Sequence, residues 1–138
     1  MRKIFLDSNI WLRFFLKDND QFESTQKLIV ATEEGRFKPY SSAIILLEVA
    51  YVLKSVYKLP AEKIIEMLDS ICELRNVTII EKTNSKMALK FMEKFNIKYS
   101  DCLIASQVKK DIILVTFDRE FSKIKGLNCQ TPSQILTD

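Results

Sequence analysis

Short apolar runs alternate with longer amphipathic stretches along this chain, and that alternation sets out its elements. Lys3–Leu6 is a compact apolar run halted by Asp7, the pattern of a buried strand. Asn9–Leu16 reads as a short helix carrying Trp11, Leu12, Phe14 and Phe15. Gln21–Glu34 is amphipathic with Leu28, Ile29 and Ala31 inward, and Gly35 suits its C-terminal cap. Phe37–Tyr40 is a short strand. Ser42 is placed to cap a long helix through about Tyr57. Pro60 opens the next helix at its first turn, with Ile64, Met67, Leu68, Ile71 and Leu74 at helical spacing.

In the second half, β-branched Val77–Ile80 predicts a strand and Ser85–Phe95 a helix. Another helix is expected from Ser100 to about Lys110. Ile112–Val115 is wholly apolar, hence a buried strand. Asn128–Thr131 fits a last edge strand and Pro132–Leu136 a final helical turn. Strands separated by helices or helix pairs predict an α/β fold, a three-layer α/β/α sandwich around a short central parallel sheet. The 138 residues fit one domain, 1–138, and 47% apolar content supplies its core.

Composition then narrows the chemistry. There is no histidine, which excludes Ser-His-Asp and Cys-His hydrolases and histidine-ligated zinc. Gly35 and Gly126 are the only glycines, so no phosphate-cradling glycine loop exists. Cys72, Cys102 and Cys129 form no CxxC pair and read as reduced thiols of a cytoplasmic protein. The apolar run before Asp7 is too short for a signal core, and no stretch is long enough for a membrane span. The charge, 21 basic against 18 acidic residues or +3, permits an anionic partner without identifying one.

Carboxylates are what remains for hydrolysis, and the informative ones interrupt apolar patterns. Asp7 and Asp118 each stand just beyond the carboxyl end of an expected strand, where open α/β sheets place ligands. A turn or helix-cap role explains each equally well. Glu48 lies within Ile44-Ile45-Leu46-Leu47-Glu48-Val49-Ala50-Tyr51-Val52-Leu53, a helix expected to be buried on all sides. A shielded carboxylate there must be paired, protonated or bound to a cation. Asp101 opens an apolar helix, where the helix dipole alone is sufficient reason for an acid. If all four gather on one rim, they need a counter-charge, and hard cations such as Mg²⁺ or Mn²⁺ prefer oxygen ligands.

These residues also carry a family resemblance. Leu6-Asp7-Ser8-Asn9-Ile10 resembles the opening motif of PIN domains, an apolar strand ending in Asp-(Thr/Ser)-Asn. Leu47-Glu48-Val49 is similar to their helix-borne glutamate. Tyr99-Ser100-Asp101-Cys102-Leu103-Ile104-Ala105 resembles their third motif, and Val115-Thr116-Phe117-Asp118-Arg119-Glu120-Phe121 the last. Order and intervals fit across nearly the whole chain, most closely to VapC-type toxins of toxin–antitoxin pairs. The resemblance implies a PIN-like fold and an Mg²⁺- or Mn²⁺-dependent endoribonuclease, usually homodimeric and held inactive by a cognate antitoxin. It assigns catalytic and metal-binding roles to Asp7, Glu48, Asp101 and Asp118, and supporting roles to Ser8, Asn9 and Thr116. It leaves open an RNA-processing nuclease without an antitoxin, and a catalytically silent interaction scaffold. A haloacid-dehalogenase-like phosphatase fits less well, because Asn9 stands where its second acid belongs.

For RNA contact, Arg13, Lys17 and Arg119 lie near the acid motifs in sequence. Lys86, Lys90, Lys94 and Lys98 recur every fourth residue as a basic stripe, more simply a solvated helix face. Trp11, Phe14 and Phe15 are expected in the core or an interface.

Overall fold

The strands are β1 (Arg2–Leu6), β2 (Phe37–Ser42), β3 (Thr78–Ile80), β4 (Ile112–Val115) and β5 (Cys129–Gln130), in a computed structural model that describes residues 1–17 and 19–137. They form one sheet in the order β3-β2-β1-β4-β5, every pair parallel. The helices are α1 (Ser8–Leu16), α2 (Phe22–Glu33), α3 (Ala43–Ser55), α4 (Ala61–Cys72), α5 (Ser85–Phe95), α6 (Tyr99–Gln107) and α7 (Pro132–Thr137). The three-layer α/β architecture anticipated from the pattern is therefore present.

The order of strands fixes where a ligand site can form. The chain steps from β1 through β2 to β3, then doubles back past them to β4 and β5. Right-handed connections, the rule for parallel strands, send α1–α4 to one face of the sheet and α5–α6 to the other. The reversal leaves a crevice above the carboxyl ends of β1 and β4, which pair from Lys3–Ile112 to Leu6–Val115.

Apolar burial holds this frame. Ile4, Phe5 and Leu6 of β1 and Leu114 and Val115 of β4 are fully buried, as are Ile10 and Trp11 of α1 and Leu28 of α2. Each such side chain contributes roughly 1.5–3 kcal/mol by leaving water. Trp11 stacks on Phe15 at 5.9 Å and meets Phe14 edge-on at 6.4 Å, so it belongs to the core. Pro39 sits inside β2 without breaking the sheet. It pairs with Ile4 on one side, while β3 joins the other side only from Tyr40 onward, so the missing N–H removes no bond to β3.

Several boundaries move from the expected ones. Ser42 is both the last residue of β2 and the cap of α3, its Oγ accepting from Ile45 N at 3.3 Å. The last of the α3 apolar run stops at Ser55 and α6 stops at Gln107, three residues before Lys110. A 3₁₀ turn at Arg119–Lys123, absent from the sequence reading, follows Asp118. Gly35 takes φ +89° just past α2, a left-handed conformation that favours glycine.

One expectation is overturned. The α3 helix is not buried on all sides. Ile45, Val49 and Leu53 form its inner stripe, whereas Leu47 is 66% and Tyr51 67% exposed, and Glu48 is half-buried. The crossover hangs α3 over only one face of the sheet, so its outer apolar residues meet solvent. Among the described residues, no helix is long and apolar enough to cross a membrane.

Candidate active site

Asp7 stands at the crevice because β1 ends there. Its N–H still donates to Val115 O at 3.1 Å, continuing the ladder one residue past the strand. Its backbone then turns and its side chain caps α1, Oδ1 accepting from Ser8 N at 2.8 Å. Only 3% of the residue is exposed.

Across the crevice, Thr116 follows β4 and is locked by its N–H to Gln130 O at 3.0 Å. Thr116 Oγ1 donates to Asp7 Oδ2 at 2.7 Å. The same oxygen accepts from Asp118 N at 2.9 Å and Asn9 Nδ2 at 3.3 Å. A hydroxyl has one proton and two lone pairs, so Thr116 is fully used. Asn9 Oδ1 in turn accepts from Phe117 N at 3.3 Å, tying α1 to the segment after β4. Ser8 meets Asp7 through its backbone N–H.

The other acids arrive from different elements. Asp101 lies in the first turn of α6 and is 5% exposed. The buried Cys102, Ile104 and Ala105 press this helix into the core and carry Asp101 inward. Asp118 is half-buried and caps the 3₁₀ turn, its Oδ1 accepting from Glu120 N at 2.9 Å. Glu48 projects from the middle of α3.

Electrostatics show that the four acids share one neighbourhood. Burial pushes the Asp7 carboxyl up to about 6, against the hydrogen bonds from Thr116 and Ser8, and the charges of Glu48 and Asp118 push in the same direction as burial. Burial also lifts Asp101 to about 7, opposed by Lys98 and reinforced by Asp7, Glu48 and Asp118. Asp7 and Asp118 thus meet at the β1–β4 rim through Thr116, and Glu48 and Asp101 lie within electrostatic reach of them. Among the described residues, no three acid or thiol side chains stand as a ready-made metal cage. The donor set is nevertheless all hard oxygen with a surplus of negative charge, the chemistry that Mg²⁺ or Mn²⁺ takes.

Sequence reading missed three neighbours of this site. Lys98, grouped there with the basic stripe, stands at the residue just before α6 and is the cation that acts on Asp101. Its place three residues before Asp101 was the available signal. Burial, with the charge of Asp7, raises Cys129 to about 11, which keeps its thiol protonated. Gln130 holds the strand position beside Val115. Nothing local in the sequence marks those two, because their role depends on β5 joining β4. Lys86, Lys90 and Lys94 are exposed on α5, as a solvated face requires.

Comparison with known proteins gives consistent results. The chain is 28% identical over 123 residues to a VapC ribonuclease of Aquifex aeolicus (strain VF5), covering 86% of this chain and 90% of that protein. Its fold superposes with a TM-score of 0.67 on VapBC2 from Rickettsia felis bound to a promoter DNA fragment, at 24% identity over 93% of this chain and 97% of that one. The same score is found with VapBC-1 from nontypeable Haemophilus influenzae, at 18% identity over 94% and 98% of the two chains. The PIN domain family model matches residues 4–127, the span that holds the carboxyl ends of both crevice strands and all four acids, and the chain belongs to the PIN domain family.

Proposed function

We propose that the chain is an endoribonuclease that cleaves RNA with Mg²⁺ or Mn²⁺ as cofactor, and that Asp7, Glu48, Asp101 and Asp118 are its catalytic and metal-holding carboxylates. The observation that carries this reading is the pair of buried acids, Asp7 and Asp101, each raised by burial and by the other acids of the cluster. A scaffold gains nothing from concentrating charge that folding must desolvate.

The all-oxygen donor set of the acids suits such a cation. Mg²⁺ dehydrates reluctantly and is usually held by one or two carboxylates with several waters, so a closed protein cage is not needed. The chemistry the ion supplies is charge neutralisation and Lewis-acid polarisation of a phosphodiester. The protein's own residues set the stage. Thr116 and the Ser8 N–H aim both oxygens of Asp7, Asn9 and Thr116 fix the backbone leading to Asp118, and Lys98 favours the ionised form of Asp101. At neutral pH Asp7 is largely ionised already, and Asp101, raised to about 7, is the acid that would give up a proton on holding a cation.

By likeness to the VapC ribonuclease and to the two VapBC structures, we assign this chain to the toxin role, with a cognate antitoxin protein as partner. Exposed Leu47 and Tyr51 on α3 offer apolar surface for a homodimer. Three free thiols suit the reducing cytoplasm.

The test is cleavage of single-stranded RNA by the purified protein. Cleavage is expected with Mg²⁺ or Mn²⁺ and none with EDTA, and Asp7→Asn or Glu48→Gln is expected to abolish it in a folded protein. Cleavage that survives EDTA would show the metal assignment to be wrong.

A further inference from the structure

At the end of α6 away from Asp101 lies a cavity of about 600 Å³, walled by Ser106 of the last helical turn, by Asn84 just before α5, and by residues of β1 to β4. Register explains its floor. Lys3 pairs with Ile112, Phe5 with Tyr40, and Tyr40 with Thr78. Alternation along each strand therefore puts Lys3, Tyr40, Thr78 and Ile80 on one face of the sheet. Two bonds tie the walls together. Lys3 Nζ donates to Asp111 Oδ2 at 2.8 Å, and Gln107 Nε2 donates to Lys82 O at 2.8 Å. The second bond joins the segment after β3 to the end of α6, and so brings Lys82 beside the stretch from Gln107 to Lys109.

Volume, charge and lining together restrict what fits. The volume falls within the roughly 300–1,000 Å³ of small-molecule sites. Three lysines against one aspartate leave the walls at +2. Asp111 neutralises Lys3, whereas among the described residues no carboxylate pairs with Lys82 or Lys109. The cavity therefore attracts an anion of about two charges. Tyr40 and Ile80, each half-buried, offer apolar surface that an inorganic anion would leave facing water. The polar groups of Thr83, Asn84 and Ser106 exclude a bare hydrocarbon body, which would strip their water and return no hydrogen bond. A nucleoside monophosphate meets each demand. Its phosphate carries about −1.5 to −2 charges at pH 7. Its flat base covers the apolar floor, and its ribose hydroxyls serve the polar wall.

We propose that this cavity binds a mononucleotide, its phosphate held by Lys82 and Lys109 and its base laid against Tyr40 and Ile80. The site is separate from the acid cluster, and the inference does not rest on the ribonuclease reading.

The experiment is isothermal titration calorimetry of the full chain in EDTA with adenosine 5′-monophosphate, and separately with inorganic phosphate and with adenosine. The monophosphate is expected to bind on the order of tenfold tighter than either fragment. Lys82 and Lys109 are exposed, so replacing them leaves the fold intact. Lys82→Ala and Lys109→Ala combined should weaken the monophosphate about tenfold and leave adenosine unchanged. Amide ¹H–¹⁵N spectra should show the monophosphate shifting Thr78, Thr83 and Ser106. Absence of binding, phosphate binding as tightly as the monophosphate, or affinity indifferent to the two lysine changes would each overturn the site. Shifts confined to residues 7–9 and 116–118 would also overturn it, by placing the ligand among the acids.

Discussion

Thr116 Oγ1 donates its only proton to Asp7 Oδ2 at 2.7 Å across the seam between β1 and β4. The two residues are 109 positions apart, and the bond joins the ends of two neighbouring parallel strands. It opposes the burial that drives Asp7 toward its protonated form, and its oxygen simultaneously holds the Asp118 N–H. One hydroxyl thus sets the charge state of one acid and the position of another.

Replacing Thr116 tests that dual role. Thr116→Val keeps the shape but leaves the Asp7 carboxylate, the Asp118 N–H and the Asn9 amide without their shared partner. Stability is expected to fall by about 1–3 kcal/mol in urea unfolding. The acid limb of the pH–rate profile for RNA cleavage should move to higher pH, because Asp7 loses a bond that favours its ionised form. Thr116→Ser should restore both quantities. An unshifted profile in the valine variant would assign Thr116 to packing alone.

The raised carboxyl values predict how the metal-free protein responds to pH. Folding lifts Asp7 from 3.8 to about 6 and Asp101 from 3.8 to about 7, so the folded state holds these protons longer than the unfolded chain does. Stability is then greatest below pH 4, falls as pH rises, and levels off above pH 7 as far as these two groups are concerned. For Asp7 the loss is up to about 3 kcal/mol. Thermal melts in EDTA between pH 5 and pH 8 should show a declining Tm, and Asp7→Asn should flatten the decline and melt higher at pH 8. A Tm that climbs across this range would contradict the burial of these acids.

Divalent cation should reverse that penalty. At a hundred times its dissociation constant, Mn²⁺ is expected to stabilise the wild type by about 2.7 kcal/mol. The shift should be larger at pH 8 than at pH 5.5, where protons compete for Asp7 and Asp101. Asp101→Asn should diminish it. Calorimetric melts with and without Mn²⁺ measure this directly, and a shift of equal size in the wild type and Asp101→Asn would remove Asp101 from the ligand set.

The outer face of α3 predicts association. Leu47 and Tyr51 are two-thirds exposed, so Leu47→Lys or Tyr51→Ala should alter monomer stability by less than about 0.5 kcal/mol. Either change is expected to shift the protein from dimer toward monomer in sedimentation equilibrium. A monomeric wild type, or a dimer indifferent to both changes, would place the interface elsewhere.

The sequence alone determined the order and type of the principal elements, because their apolar periods are strong: the run before Asp7, the run before Thr116 and the amphipathic stretches between them. It also singled out Asp7, Glu48, Asp101 and Asp118, since an acid that interrupts an apolar pattern is visible without coordinates. Only the tertiary structure decided the rest. Periodicity marks apolar residues but not which of them another element covers, so the exposure of Leu47 and Tyr51 on α3 was hidden. The 3₁₀ turn after Asp118 is held by capping bonds rather than by a periodic pattern. Above all, the Thr116–Asp7 bond and the seat of Gln130 beside it are fixed by strand order. Strand order is a property of how the chain crosses over itself, and no window of neighbouring residues contains it.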